Sequence, residues 1–198
     1  MTRPGAPVVL ALVLAGGLTG CGEDTAAAIT APPLCPVGGD DSGNGVVLMA
    51  QSVPTASWVP CLQTSLPLGW GFHHLDARDG VARFWLDSDR DGDKAIEVRL
   101  ERSCDTSGST EIASDRERMH RFERVRQVSP TYAGERHYVF GGGCLSVVFQ
   151  LDGDSPGEAL ALASQAVGVV SRTALQAQVH DDSGGRIELD PGEGGGGP

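Results

Sequence analysis

Four aspartates, Asp87, Asp89, Asp91 and Asp93, stand at alternate positions, with Gly92 between the last two. Carboxylates spaced this way around a tight loop suit calcium, which takes about six to eight oxygen ligands. The run matches the opening half of a D-x-D-x-D-G calcium loop, but the second half does not follow. The twelfth position, where a bidentate Glu belongs, is Val98, and Glu97 comes one place early. In an alternating strand Glu97 points to the other side. Strand-like segments flank the run where helices would flank an EF-hand loop. Asp91-Gly92 is also a strong hairpin turn in its own right, because glycine accepts positive φ without steric cost. A solvated hairpin tip is therefore the better reading. A weak extracellular calcium site is its rival, with these four aspartates as the ligands and no other cofactor implied.

Other residues could also do chemistry. His73, His74 and Asp76 offer metal ligands or an acid–base pair. Neighbours on a regular strand face opposite ways, so one histidine is expected to be packed and the other exposed. No G-x-S-x-G, H-E-x-x-H or phosphate loop occurs, which favours binding over catalysis and leaves a hydrolase of unknown type as an alternative. If Phe84 and Leu86 face a core, Trp85 and Arg83 face out, and an outward Trp beside Arg suits recognition of protein or sugar. A covering helix or loop is the competing reading. Arg116, Arg118, Arg121, Arg124 and Arg126 could meet anionic surfaces. Asp115, Glu117 and Glu123 interleave with them, so a solvated, salt-linked face is expected instead.

These residues sit in a chain of 198 residues with a formal charge of −11. An acidic surface argues against nucleic acid as a partner. Hydrophobic residues make up 40%, enough for a core. The N-terminus has one cation, Arg3, and then an apolar run from Ala6 to Leu18, the plan of a secretion signal and too short for a stable membrane span. It ends in Leu18-Thr19-Gly20-Cys21, which resembles the lipobox of bacterial lipoproteins. The resemblance covers residues 1–21. It implies that residues 1–20 are a signal peptide, that Cys21 becomes the acylated first residue, and that the protein is held on the extracytoplasmic face of the cell membrane. More than one acyl chain makes such an anchor stable.

Five cysteines fit that location. Lipidation of Cys21 leaves Cys35, Cys61, Cys104 and Cys144, which can close two disulfides in an oxidising compartment. Three pairings exist. Cys104–Cys144 is favoured because both residues flank expected strands, and Cys35–Cys61 because it would pin the N-terminal arm. Zinc is the weaker use, since no C-x₂-C pair is present.

The elements that must position these groups are mostly period two. Residues 21–45 read as a flexible tether and 191–198 as a Gly-rich tail, leaving 46–190 as the domain. Strands are expected at 45–52, 69–77, 81–88, 94–104, 119–128, 136–140 and 144–151, with a loop or helical turn at 53–62. Ser155, Pro156 and Glu158 form a capping-box start for a helix to Val167, ended by Gly168. Ser171 caps a second helix over 172–182, and a last short strand follows at 186–190. The expected fold is α+β: an antiparallel sheet of hairpins with one or two C-terminal helices on one face. The expected function is a non-catalytic binding module of the bacterial envelope. It would act on an envelope protein or glycan, with Arg83 and Trp85 as its binding residues. A calcium-stabilised adhesion or ligand-binding domain is the alternative.

Overall fold

Alternating apolar and charged residues, repeated from strand to strand, set the architecture. The computed structural model describes residues 27–35 and 44–190; the expected signal peptide, Cys21 and the Gly-rich tail lie outside them. The elements are β1 (Ala27–Ile29), α1 (Asn44–Ser52), β2 (Trp58–Leu62), β3 (Trp70–Arg78), β4 (Val81–Ser88), β5 (Gly92–Glu101), β6 (Thr110–Ile112), β7 (His120–Gln127), β8 (Tyr132–Phe140), β9 (Gly143–Leu151), α2 (Pro156–Ala166), β10 (Val167–Ser171) and α3 (Arg172–Asp182). Eight strands form one antiparallel sheet in the order β1-β3-β4-β5-β9-β8-β7-β6, and β10 pairs with β2 in a two-stranded ribbon. The fold is thus α+β, as expected.

The register places apolar residues side by side on one face. Leu75 opposes Phe84, Phe84 opposes Val98, and Val98 opposes Val147. Ala82, Leu100 and Leu145 make the next row, and Leu86, Ile96 and Phe149 the one beyond. All are buried, and they pack with residues of α1, the β2–β10 ribbon, α2 and α3 in one core. A fully buried Leu or Phe contributes about 1.5–3 kcal/mol, so this covered face dominates the stability.

Two disulfides close as favoured from the sequence, Cys35–Cys61 and Cys104–Cys144. The first sits where residues 33–35 run beside β2, through hydrogen bonds from Cys35 N to Leu62 O and from Leu62 N to Pro33 O. Part of the expected tether therefore lies against the domain, since β1 also pairs with β3.

Four elements differ from expectation. Residues 45–52 belong to a helix, because Val46, Met49, Ala50 and Val53, all fully buried, have the i, i+3, i+4, i+7 spacing of one helical face. The second half of 53–62 is a strand. Pro60 fits there because the bonds from residues 33–35 to the other side of β2 are made at Leu62, two residues away. Helix α2 starts after Ser155, whose side chain makes no cap bond, and stops before Gly168, which lies inside β10 against the Cys35–Cys61 disulfide. Residues 186–190 are not a strand: Leu189 N and Asp190 N donate to the side-chain amides of Gln176 and Gln51 rather than to a ladder. By contrast, Ser171 caps α3 as expected, accepting from Ala174 N.

The β8–β9 hairpin tip rests on the loop that follows α1. Thr55 Oγ1 donates to Gly142 O at 2.6 Å, and Gly142 has φ 71°. A Cβ on Gly142 would collide with the Thr55 carbonyl, whereas one on Gly141 would meet only Ser57 Oγ at 3.5 Å. Gly142→Ala should therefore destabilise the protein by about 2 kcal/mol or more, and Gly141→Ala by much less. Urea unfolding of the two variants checks this; equal losses would contradict it.

Candidate functional site

The sheet face away from the core carries the polar set. Asp76 opposes Arg83, Arg83 opposes Arg99, and Trp85 opposes Glu97. Phe84 and Leu86 point into the core, so the alternation turns Trp85 and Arg83 onto the opposite, open face as expected.

A β-bulge shapes this face. Phe72 pairs with Leu86 and Leu75 with Phe84, so His73 and His74 together oppose the single residue Trp85. Strict alternation would send the two histidines to opposite faces, and the bulge overturns that expectation. Their rings lie 4.8 Å apart on the same side of the sheet. His74 stacks on Trp85 with ring centroids 4.3 Å apart and an interplanar angle of 24°. Arg83 and Lys94 approach the same indole at 5.5 and 5.3 Å. The buried Nε of Arg83 has no hydrogen-bond partner. Asp76 lies 3.9 Å from His74, a loose contact rather than a hydrogen bond.

The aspartate run supports this cluster from the hairpin tip. Asp87 hydrogen-bonds His73 Nδ1 at 2.9 Å and accepts from Lys94 N at 2.7 Å. Lys94 takes a left-handed φ of 52°, uncommon for a residue with a side chain. Partial burial pushes the Asp87 carboxyl up, but the Lys94 amide and the His73 imidazole outweigh it and hold the carboxyl below its ordinary value. Asp91 points elsewhere and is 4% exposed. Its two oxygens accept from Ser88 Oγ at 2.8 Å and from Gly153 N at 3.1 Å, tying the tip to the loop before α2. Asp89 and Asp93 are exposed. Asp87 and Asp91 are thus engaged by protein donors at a hairpin tip. Nothing in the sequence pattern distinguished the structural Asp91 from its neighbours.

Among the described residues, the one group of three His, Cys or acidic ligand atoms close enough to share an ion is Cys104, His137 and Cys144, within 4.8 Å of one another. The two sulfurs are joined as a disulfide, so neither is the thiolate a metal needs. His137 and Ser146 pair across β8 and β9 beside this bridge. Ser146 Oγ lies 2.9 Å from His137 Nδ1 and 3.1 Å from Cys104 Sγ. No protein-family model, curated protein or solved structure matches this chain.

His137 is 5% exposed. Burial pushes its imidazole pKa down, against the opposing pull of Glu135, Glu101 and Asp105, while Arg99 also lowers it. The folded state therefore holds this proton less tightly than the unfolded chain. His137 then contributes its full stability above the unfolded value of about 6.5, and that contribution falls as pH drops through the window below it. Urea midpoints measured at neutral and mildly acidic pH should fall more steeply for the wild type than for His137→Gln. Identical slopes would contradict this.

Proposed function

We propose that this chain is an extracytoplasmic binding module, lipid-anchored at Cys21 on the outer face of the bacterial cell membrane, and that it acts without catalysis. The open sheet face around Trp85 would be its contact surface, and an envelope protein or glycan its partner. The observation that carries this is the bulge at His73–His74, which gathers two imidazoles, an indole and two cations on one uncovered face. Stacked aromatic surface bordered by hydrogen-bond donors suits the flat faces of sugars and the side chains of a protein partner. The Arg83 guanidinium borders the indole. Lys94 in its left-handed backbone conformation is a strained residue of the kind that gathers at binding sites.

The anchor is supported by the lipobox-like run ending at Cys21, and the compartment by the two disulfides formed from the other four cysteines. Among the described residues no helix is long and apolar enough to cross a membrane.

In vivo crosslinking from intact cells, together with cosedimentation on isolated cell-wall fragments, tests the contact surface. Trp85→Ala should weaken capture by about tenfold or more, as loss of a central aromatic anchor does. Arg83→Gln should have a smaller effect in the same direction. Unchanged capture of every partner by a folded Trp85→Ala variant would remove this surface from consideration.

A further inference from the structure

The covered face changes character toward the β7–β6 edge of the sheet. The core row that runs Leu75, Phe84, Val98 and Val147 continues as Arg136 and then Glu123. Arg121 pairs across from Tyr138 on the same face. Helix α2 lies over this edge, and between helix and strands is a cleft of about 430 Å³. That is within the roughly 300–1,000 Å³ range of small-molecule sites.

Four charged side chains line the cleft, Arg121, Arg136, Glu123 and Asp115. Arg136 is 9% exposed, and its Nε donates to Glu123 Oε2 at 2.9 Å while an Nη donates to Ser164 Oγ at 3.0 Å. Arg121 donates to the same Glu123 oxygen at 2.9 Å. Two guanidinium groups therefore share one carboxylate. Asp115, 3.5 Å from Arg121, is half-exposed at the rim. Arg121 Nε is buried with no hydrogen-bond partner. Burial works to raise the Glu123 pKa, but Arg121 and Arg136 overcome it and hold the carboxyl below its ordinary value. Leu160, Ala161 and the ring of Tyr132 add apolar walls.

The buried Nε of Arg121 lacks an acceptor, and a guanidinium's planar fork matches a carboxylate in two-point geometry. We propose that the cleft between α2 and β7–β8 binds a small organic acid, its carboxylate on Arg121 and Arg136 and its apolar part against Leu160 and Tyr132. This site is on the opposite side of the sheet from Trp85 and stands independently of the open-face reading.

Ligand-observed NMR on the full chain tests this with benzoate as the probe and benzamide, its uncharged counterpart, as the control. Benzoate should bind saturably and benzamide should not. Arg121→Gln should weaken benzoate by about fivefold or more, the loss of a charge-assisted pair. Glu123→Gln should tighten it by about threefold or more, because a competing carboxylate becomes a neutral acceptor. That gain cannot come from misfolding. Equal signals from benzamide, or no change in either variant, would overturn the proposal. So would inorganic phosphate displacing benzoate at lower concentration than benzoate itself binds, which would make this a phosphate site.

Discussion

Leu75, Phe84, Val98 and Val147 stand side by side across four strands, and the solvent reaches almost none of their surface. Burying that row fixes the register, because a slip of one residue would move every apolar side chain to the wet face. The helices and the β2–β10 ribbon are needed on one side only. The other side is left to charged and aromatic residues, and Trp85 is turned outward by the same alternation that buries Phe84 and Leu86. The bulge at His73–His74 is a local departure that adds a second imidazole to the open face without disturbing the core row.

The two sides of the sheet therefore carry different chemistry. The open side presents rings and cations around Trp85. The helix side holds a charged cleft where apolar packing gives way to the Glu123–Arg136 pair. Such a pair is not strong support for the fold, since burying charge costs about as much as the attraction returns. Its place inside the cleft is what the proposed carboxylate site uses. The Cys104–Cys144 bridge and the His137–Ser146 pair brace the open side, and Cys35–Cys61 joins the incoming chain to β2.

The hairpins from β3 to β5 and the β8–β9 hairpin were legible because their alternation is strong and their turns hold glycine at Gly80, Gly92 and Gly142. The helix over 44–52 was legible in principle: Val46, Met49, Ala50 and Val53 have helical spacing, but a short β-branched run also resembles a strand. The bulge was not legible. Nothing in Phe72-His73-His74-Leu75 marks the extra residue, which follows from the pairing of Phe72 and Leu75 with Leu86 and Phe84. The cleft was hidden for a similar reason. Its lining groups come from β7, β8 and α2, and only the register brings Glu123 between Arg121 and Arg136. The arginine-rich stretch was visible as a cluster, but not which of its members turn inward.

Intact-protein mass spectrometry of the natively expressed chain from the membrane fraction, with alkylation before and after reduction, bears most directly on where this surface operates. A product that begins at Cys21, carries a diacylglycerol mass on that residue and takes up alkylating reagent at four cysteines only after reduction is the expected result. A product that retains its leader, with an unacylated Cys21 and cysteines that alkylate without reductant, would place the domain in another compartment and contradict the proposed role.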